Sequence, residues 1–226
     1  MSISIIFPDE AGKRDLYSYC YVEKTLPDHR KLKKKVLIEN LIPALRGNME
    51  STFFYNKLGM LPKNFLDAEI ATFEPLTAHI YLYIPEGIRR ITYEQTVYEI
   101  PLPNMIMLLS VTDEKVTETE VFCILKDMTY EKVKKAICTD QSMKYFTYPL
   151  GNVSDSGDVC WGSNQLPDIK KLQDVEIIPS LFFDAPTNSD FYSEERTKLH
   201  CENIRSLYDK LSGKKEFPYE ILTNLE

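Results

Sequence analysis

"LTAHIYLYI", residues 76–84, reads as a strand, and the partners it takes decide the fold. Pro85-Glu86-Gly87 follows as a turn, and "IRRITY", 88–93, is expected to pair back on it. "TVYEIPLPNMIMLLSV", 96–111, then holds Pro101 and Pro103, which predict a break in pairing. The apolar run Met105 to Val111 just beyond reads as a buried strand. A turn over Thr112 to Lys115 leads into "VTETEVFCIL", 116–125, another strand. The centre of the chain is therefore predicted to be a run of antiparallel strands.

Working outward, residues 2–7 and 16–25 form an expected first strand pair. "HRKLKKKVLIENLIPALRG", 29–47, carries Leu32, Val36, Ile38, Leu41, Ile42 and Leu45 at roughly helical spacing. A helix is predicted there, kinked at Pro43 and ended at Gly47, with Lys33-Lys34-Lys35 as a solvated face. Residues 129–141 predict a short amphipathic helix or a covering loop. A last helix is predicted over 193–213, with Ile204, Leu207, Tyr208 and Leu211 as its apolar stripe. Glu194 and Lys198 would pair on its surface, and Gly213 would stop it. The fold class is α+β, an antiparallel meander sheet packed on helices, in a single domain over 1–226. Residues 1–60 would be an N-terminal addition of strands and a helix.

The chain has 226 residues, 43% hydrophobic and 27% charged, which is enough to bury a real core. Its formal charge of −7 argues against broad nucleic-acid binding. The opening residues lack a basic segment followed by a long apolar one, so no secretory signal is expected. No apolar run approaches the roughly 18 residues that a membrane helix needs. Cys20, Cys123, Cys138, Cys160 and Cys201 are odd in number and scattered, as reduced cytoplasmic thiols are. His29, His79 and His200 fall in no metal-binding spacing. Glycine-rich phosphate loops and the nucleophile elbow of serine hydrolases are missing too. No metal and no cofactor are expected.

The candidate chemistry lies in "NVSDSGDVCWGSNQLP", 152–167, which holds the only Trp. Asp155, Ser156, Gly157 and Asp158 make a tight polar turn before Val159-Cys160-Trp161. Cys20 and Cys123 fall inside strand patterns, where Cys is mostly a small buried hydrophobe. Cys160 instead follows a turn whose backbone N–H groups can converge on an anion, and it lies eight positions after Asn152. Two readings stay open on spacing alone. The stretch is a hairpin with a buried thiol in its second arm, or a loop presenting a nucleophile.

The register of Asn152, Gly157, Val159 and Cys160 resembles the active-site stretch of the ubiquitin-conjugating enzyme superfamily. Those proteins carry His-Pro-Asn, a short turn with Gly, an Ile or Val, and the catalytic Cys eight residues after the Asn. The His-Pro half is missing here, since Leu150 and Gly151 precede Asn152. The blocks "IPLPNMIMLL", "YPLGNVSDSGDVCWGSNQLP" and "SLFFDAPTNSDF" are similar to the bacterial branch called prokaryotic ubiquitin-conjugating-like family D, or PRTRC system protein B. The resemblance implies a ubiquitin-conjugating-like core over 61–192. It implies that Cys160 accepts a ubiquitin-like protein as a thioester from a ThiF-like activating enzyme. Asn152 would orient the loop or donate to the oxyanion, Gly157 would shape the turn, and Asp155 or Asp158 would help an incoming lysine. The target protein is not implied. In the superfamily the absent His mainly supports the Asn loop. The competing expectation is a catalytically inactive scaffold of the same fold.

Overall fold

The computed structural model describes residues 2–6, 19–25, 31–38, 40–41, 60–139 and 141–225. The chain divides into two compact units, Met1–Asn56 and Lys57–Glu226.

In the first unit β1 (Ser2–Ile6), β2 (Tyr19–Thr25) and β3 (Lys31–Leu37) pair antiparallel in that order. The first strand pair is as expected, with Ser2 opposite Thr25. The helix predicted over 29–47 is not formed at Lys31–Leu37, which is strand β3. Its register runs from Tyr19 opposite Leu37 to Thr25 opposite Lys31. A neighbouring strand that satisfies every second backbone group overrides a weak helical pattern. Pro43 and Gly47 lie outside the described residues.

In the second unit β4 (Phe65–Phe73), β5 (Leu76–Ile84), β8 (Met105–Thr112) and β9 (Lys115–Cys123) form one antiparallel sheet in the order β4-β5-β8-β9. Strand β8 is central, which is why its residues Met105, Met107, Leu109 and Val111 are buried. β6 (Gly87–Tyr93) and β7 (Thr96–Leu102) make a separate hairpin. The expected return of 88–93 onto 76–84 is therefore wrong. β5 pairs with β8 instead, Ile84 opposite Met105. Asn104 draws the two strand ends together: its Oδ1 accepts from the Glu86 N–H (2.8 Å) and its Nδ2 donates to the Lys126 carbonyl (3.2 Å). Pro101 does not break pairing either. It sits inside β7 opposite Ile88, in a two-stranded sheet where an outward-facing edge needs no N–H.

Helix α1 (Tyr130–Cys138) forms as predicted and packs with Val133 beside Leu66, Tyr83 and Ile106 on one sheet face. The other face carries the main core and is covered by α2 (Ile178–Asp184) and α3 (Ile204–Leu211). Pro179 in the first turn of α2 fits that helix start, and Phe182 and Phe183 are buried. The predicted stripe of α3 is buried in full: Ile204, Leu207, Tyr208 and Leu211. Each such side chain contributes roughly 1.5–3 kcal/mol of apolar burial.

The helix expected over 193–213 is confined to Ile204–Leu211. Thr197 is extended and bridges Leu222, and the Lys198 N–H donates to the Ile221 carbonyl (2.9 Å). Glu194 and Lys198 thus do not share a helix face. Asn203 starts the true helix, its side chain accepting from the Ser206 N–H (2.9 Å). Gly213 follows its end at φ +77. The architecture is α+β with an antiparallel sheet, as the sequence predicts.

Candidate functional site

Val153 and Val159 face each other as an antiparallel bridge, so residues 152–160 form a short hairpin. Its turn is closed by the Ser154 N–H on the Asp158 carbonyl (2.8 Å) and the Gly157 N–H on the Ser154 carbonyl (3.2 Å). The second arm docks on the open edge of β9. There the Val121 N–H donates to the Gly157 carbonyl, and the Val159 N–H donates to the Thr119 carbonyl, both at 2.8 Å. This covers an edge that would otherwise present unpaired backbone groups.

Gly157 is required twice over. Its φ is +100, and a Cβ there would lie 2.4 Å from Cε1 of Phe122. Gly151 is required for space alone, because a Cβ would meet the Asn188 carbonyl oxygen at 2.1 Å.

Along the second arm the side chains alternate in direction. Trp161 packs inward, its ring edge-on to Phe182 at 6.3 Å and its indole N–H donating to Thr119 Oγ1 (3.1 Å). Cys160, one position earlier, is exposed, whereas Cys20, Cys123 and Cys201 are buried. Burial pushes the Cys123 thiol far above its ordinary value and keeps it protonated. The stretch is thus a hairpin, and its thiol faces solvent.

Asn152 sits directly behind Cys160, its carbonyl accepting the Cys160 N–H (2.8 Å). It holds φ +65, which Asn tolerates better than most residues, and it is 7% exposed. Its Nδ2 donates to the Pro186 carbonyl (2.8 Å) and its Oδ1 accepts from the Asn188 N–H (3.0 Å). The side-chain amide therefore ties the hairpin to the segment after α2.

The two aspartates are occupied differently. Asp158 Oδ2 accepts from Ser156 Oγ (2.5 Å) and Ser154 Oγ (3.2 Å). It also lies opposite Glu120 of β9. Partial burial raises the Glu120 carboxyl above its ordinary value, and the negative charges of Asp158 and Glu118 add to that. Asp155 pairs with Arg196, Oδ1 to Nη2 at 2.6 Å.

Arg196 is the residue that sequence reasoning missed. It falls between Glu194 and Lys198 in the stretch read as helix, and nothing in "SEERTK" marks it as buried. Its side chain has no solvent exposure, while that of Asp155 is 83% exposed. Nη1 donates to the carbonyls of Leu150 (3.0 Å) and Val153 (2.5 Å), on either side of Asn152.

The structure thus joins Cys160 to Asn152 through the backbone, puts Gly157 at the bend, turns Asp158 onto serines of the loop, and turns Asp155 onto Arg196 from a remote segment. Among the described residues no group of His, Cys, Asp and Glu is arranged to hold a metal ion. No described helix is long and apolar enough to cross a membrane.

The model of prokaryotic E2 family D matches residues 55–225. No curated protein and no solved structure matches at a significant level. The chain belongs to prokaryotic E2 family D. It is a conjugation-related protein of ubiquitin-conjugating type, tied in general terms to ubiquitin-like systems.

Proposed function

From that membership as premise, we propose that Cys160 accepts a ubiquitin-like protein as a thioester and passes it to an amine. The observation that carries this reading is the exposed thiol on an arm fixed to β9, with Asn152 bonded behind it. The donor is a ThiF-like activating enzyme holding the modifier as its own thioester. The Cys160 sulfur attacks that carbonyl carbon, the new C–S bond forms, and the donor's C–S bond breaks. The donor sulfur leaves as the thiolate and takes up the proton that Cys160 gives away. An amine then attacks the same carbon. A C–N bond forms, Cys160 leaves, and the amine loses a proton.

Of the two roles open to Asn152, we assign the orienting one, because both ends of its amide already hold the 186–188 segment. Asp155 is assigned to the loop's framework through Arg196. Asp158 keeps a carboxylate two residues before Cys160, on the same side of an extended arm, where it would meet an incoming ammonium group. Residues 61–192 serve as the conjugating core and 1–60 as an addition to it, in the cytoplasm.

The experiment combines this chain with its activating enzyme, the ubiquitin-like protein and ATP. A covalent adduct cleaved by excess thiol is expected, and Cys160→Ser should give a thiol-resistant adduct or none. If a partner set proven active on another conjugating protein gives no adduct, the reading fails. The scaffold alternative then stands, with Asn152 and its neighbours holding a binding surface and doing no covalent chemistry.

A further inference from the structure

We propose that Arg196 is the positioning residue of the thiol loop, holding from a distant segment the backbone on both sides of Asn152. The inference rests on the thioester reading for its link to catalysis, but its geometry stands by itself.

Three observations carry it. The guanidinium is fully buried, yet it spends its donors on one stretch only, the carbonyls of Leu150 and Val153 and the carboxylate of Asp155. Those carbonyls flank Asn152, the residue whose positive φ sets the direction of the first arm. Arg196 is itself anchored at the backbone, its carbonyl accepting from Thr223 Oγ1 (2.9 Å), next to the Thr197–Leu222 bridge.

A buried cation with one exposed counter-ion is an expensive way to gain stability, since an apolar side chain would fill the same space at lower cost. Its Nε, moreover, has no hydrogen-bond partner among the described residues. What the guanidinium provides that an apolar group cannot is a planar fork reaching three acceptors at once. Held this way, the carbonyls of Leu150 and Val153 cannot rotate independently, and Asn152 between them keeps its left-handed conformation. The Asn152 carbonyl is then aimed at the Cys160 N–H.

Two variants of the full chain test this, Arg196→Lys and Asp155→Asn. Lysine keeps the charge but cannot reach three acceptors in one plane. The Asp155→Asn change touches only the exposed end of the grip, so the fold is retained. Peptide-resolved hydrogen exchange reports the loop without any partner. Amides of Ser154, Gly157 and Cys160 should exchange roughly 10-fold or more faster in Arg196→Lys, where buried charge-assisted bonds are lost. They should exchange about 2- to 5-fold faster in Asp155→Asn, where the pair is exposed. Amides of β8 and α3 should keep their wild-type rates in both.

In single-turnover transfer from the charged activating enzyme, the rate at saturating donor should fall in the same order while half-saturation is unchanged. Uniformly faster exchange across the molecule would make Arg196 a general stability residue and overturn the proposal. So would wild-type exchange in the loop of the folded variants. If Arg196→Lys does not fold, Asp155→Asn decides alone. If the wild type forms no thioester while the two variants show the loop-specific exchange pattern, the chemistry of Cys160 is refuted and the positioning role of Arg196 stands.

Discussion

Gly157→Ala tests whether the hairpin turns through the positive-φ bend that only Gly157 fits. Two costs arise. An L side chain at φ +100 pays roughly 1–2 kcal/mol in the backbone. The added methyl would lie 2.4 Å from Cε1 and 3.0 Å from Cζ of Phe122, well inside contact distance. Phe122 is not free to swing away, because its ring packs at 5.6 Å on Tyr145. Overpacking of this kind costs roughly 1–3 kcal/mol. The expected loss is about 2–5 kcal/mol, which for a chain of this size lowers Tm by roughly 5–15 °C.

Thermal unfolding followed by circular dichroism gives the total, and a double-mutant cycle with Phe122→Ala separates its parts. Removing the ring removes the overlap but not the backbone strain. The double variant should therefore recover about 1–3 kcal/mol relative to the sum of the singles. A Gly157→Ala protein within about 0.5 kcal/mol of wild type would refute the bend. Additivity of the two changes within about 0.5 kcal/mol would refute the contact with Phe122.

Asn152 carries both a left-handed φ and two side-chain bonds. Asn152→Ala should lose about 2–4 kcal/mol, and Asn152→Gly about 1 kcal/mol less, since Gly restores the backbone freedom but not the bonds; chemical denaturation of both variants checks the difference. Glu120 gives a pH signature. Its folded-state value is raised, so the native chain holds this proton more tightly than the unfolded chain does. The contribution is complete below the ordinary carboxylate range and is lost as pH rises through the folded value. Glu120→Gln should therefore raise Tm by about 1–2 °C at neutral pH, a small gain because the site is partly solvated, and by nothing near pH ~3.5. A Tm difference that does not change with pH would contradict the assigned environment.

What the sequence made legible was local. β5, β8, β9, α1 and the buried stripe of α3 each carry their signal within about ten residues, and each formed. What it concealed was pairing. The partner of β5 lies beyond the β6–β7 hairpin, and nothing in the turn that follows β5 announces it; Asn104, just before β8, bonds the chain just after β5. β4 and α2 are not among the predicted elements: Leu66, Ala68 and Ile70 of "FLDAEIATF" do alternate with Asp67 and Glu69, a signal that goes unused, whereas "IPSLFFD" is too short to declare a period. The segment after Ser193 has a helical composition, yet the C-terminal residues 221–223 claim its backbone first. The Asn152-to-Cys160 register was visible because it lies in one stretch. Arg196, 36 positions beyond Cys160 in sequence, was not, because its burial is decided by where Leu150, Val153 and Asp155 end up.

These placements divide the loop into two mechanical regimes. Its flanks are fixed by groups from remote segments: Thr119 and Val121 on β9, Pro186 and Asn188 after α2, and Arg196 from the segment before α3. At its tip Asp155 and Gly157 are still gripped from outside, by Arg196 and by the Val121 N–H, whereas Ser154, Ser156 and the Asp158 carboxylate bond one another in water, where such bonds are worth little. Substitutions at Ser154 and Ser156 should be absorbed locally, while changes at Gly151, Asn152 or Arg196 should move the arm that carries the thiol. Under the proposed thioester chemistry, in which the thiol meets one carbonyl carbon at a defined angle, rigid flanks matter more than the tip. Cys160 sits at the junction with the rigid part, one residue before the side chain of Trp161 enters the core. The thiol there is exposed, and the arm that carries it is fixed in direction.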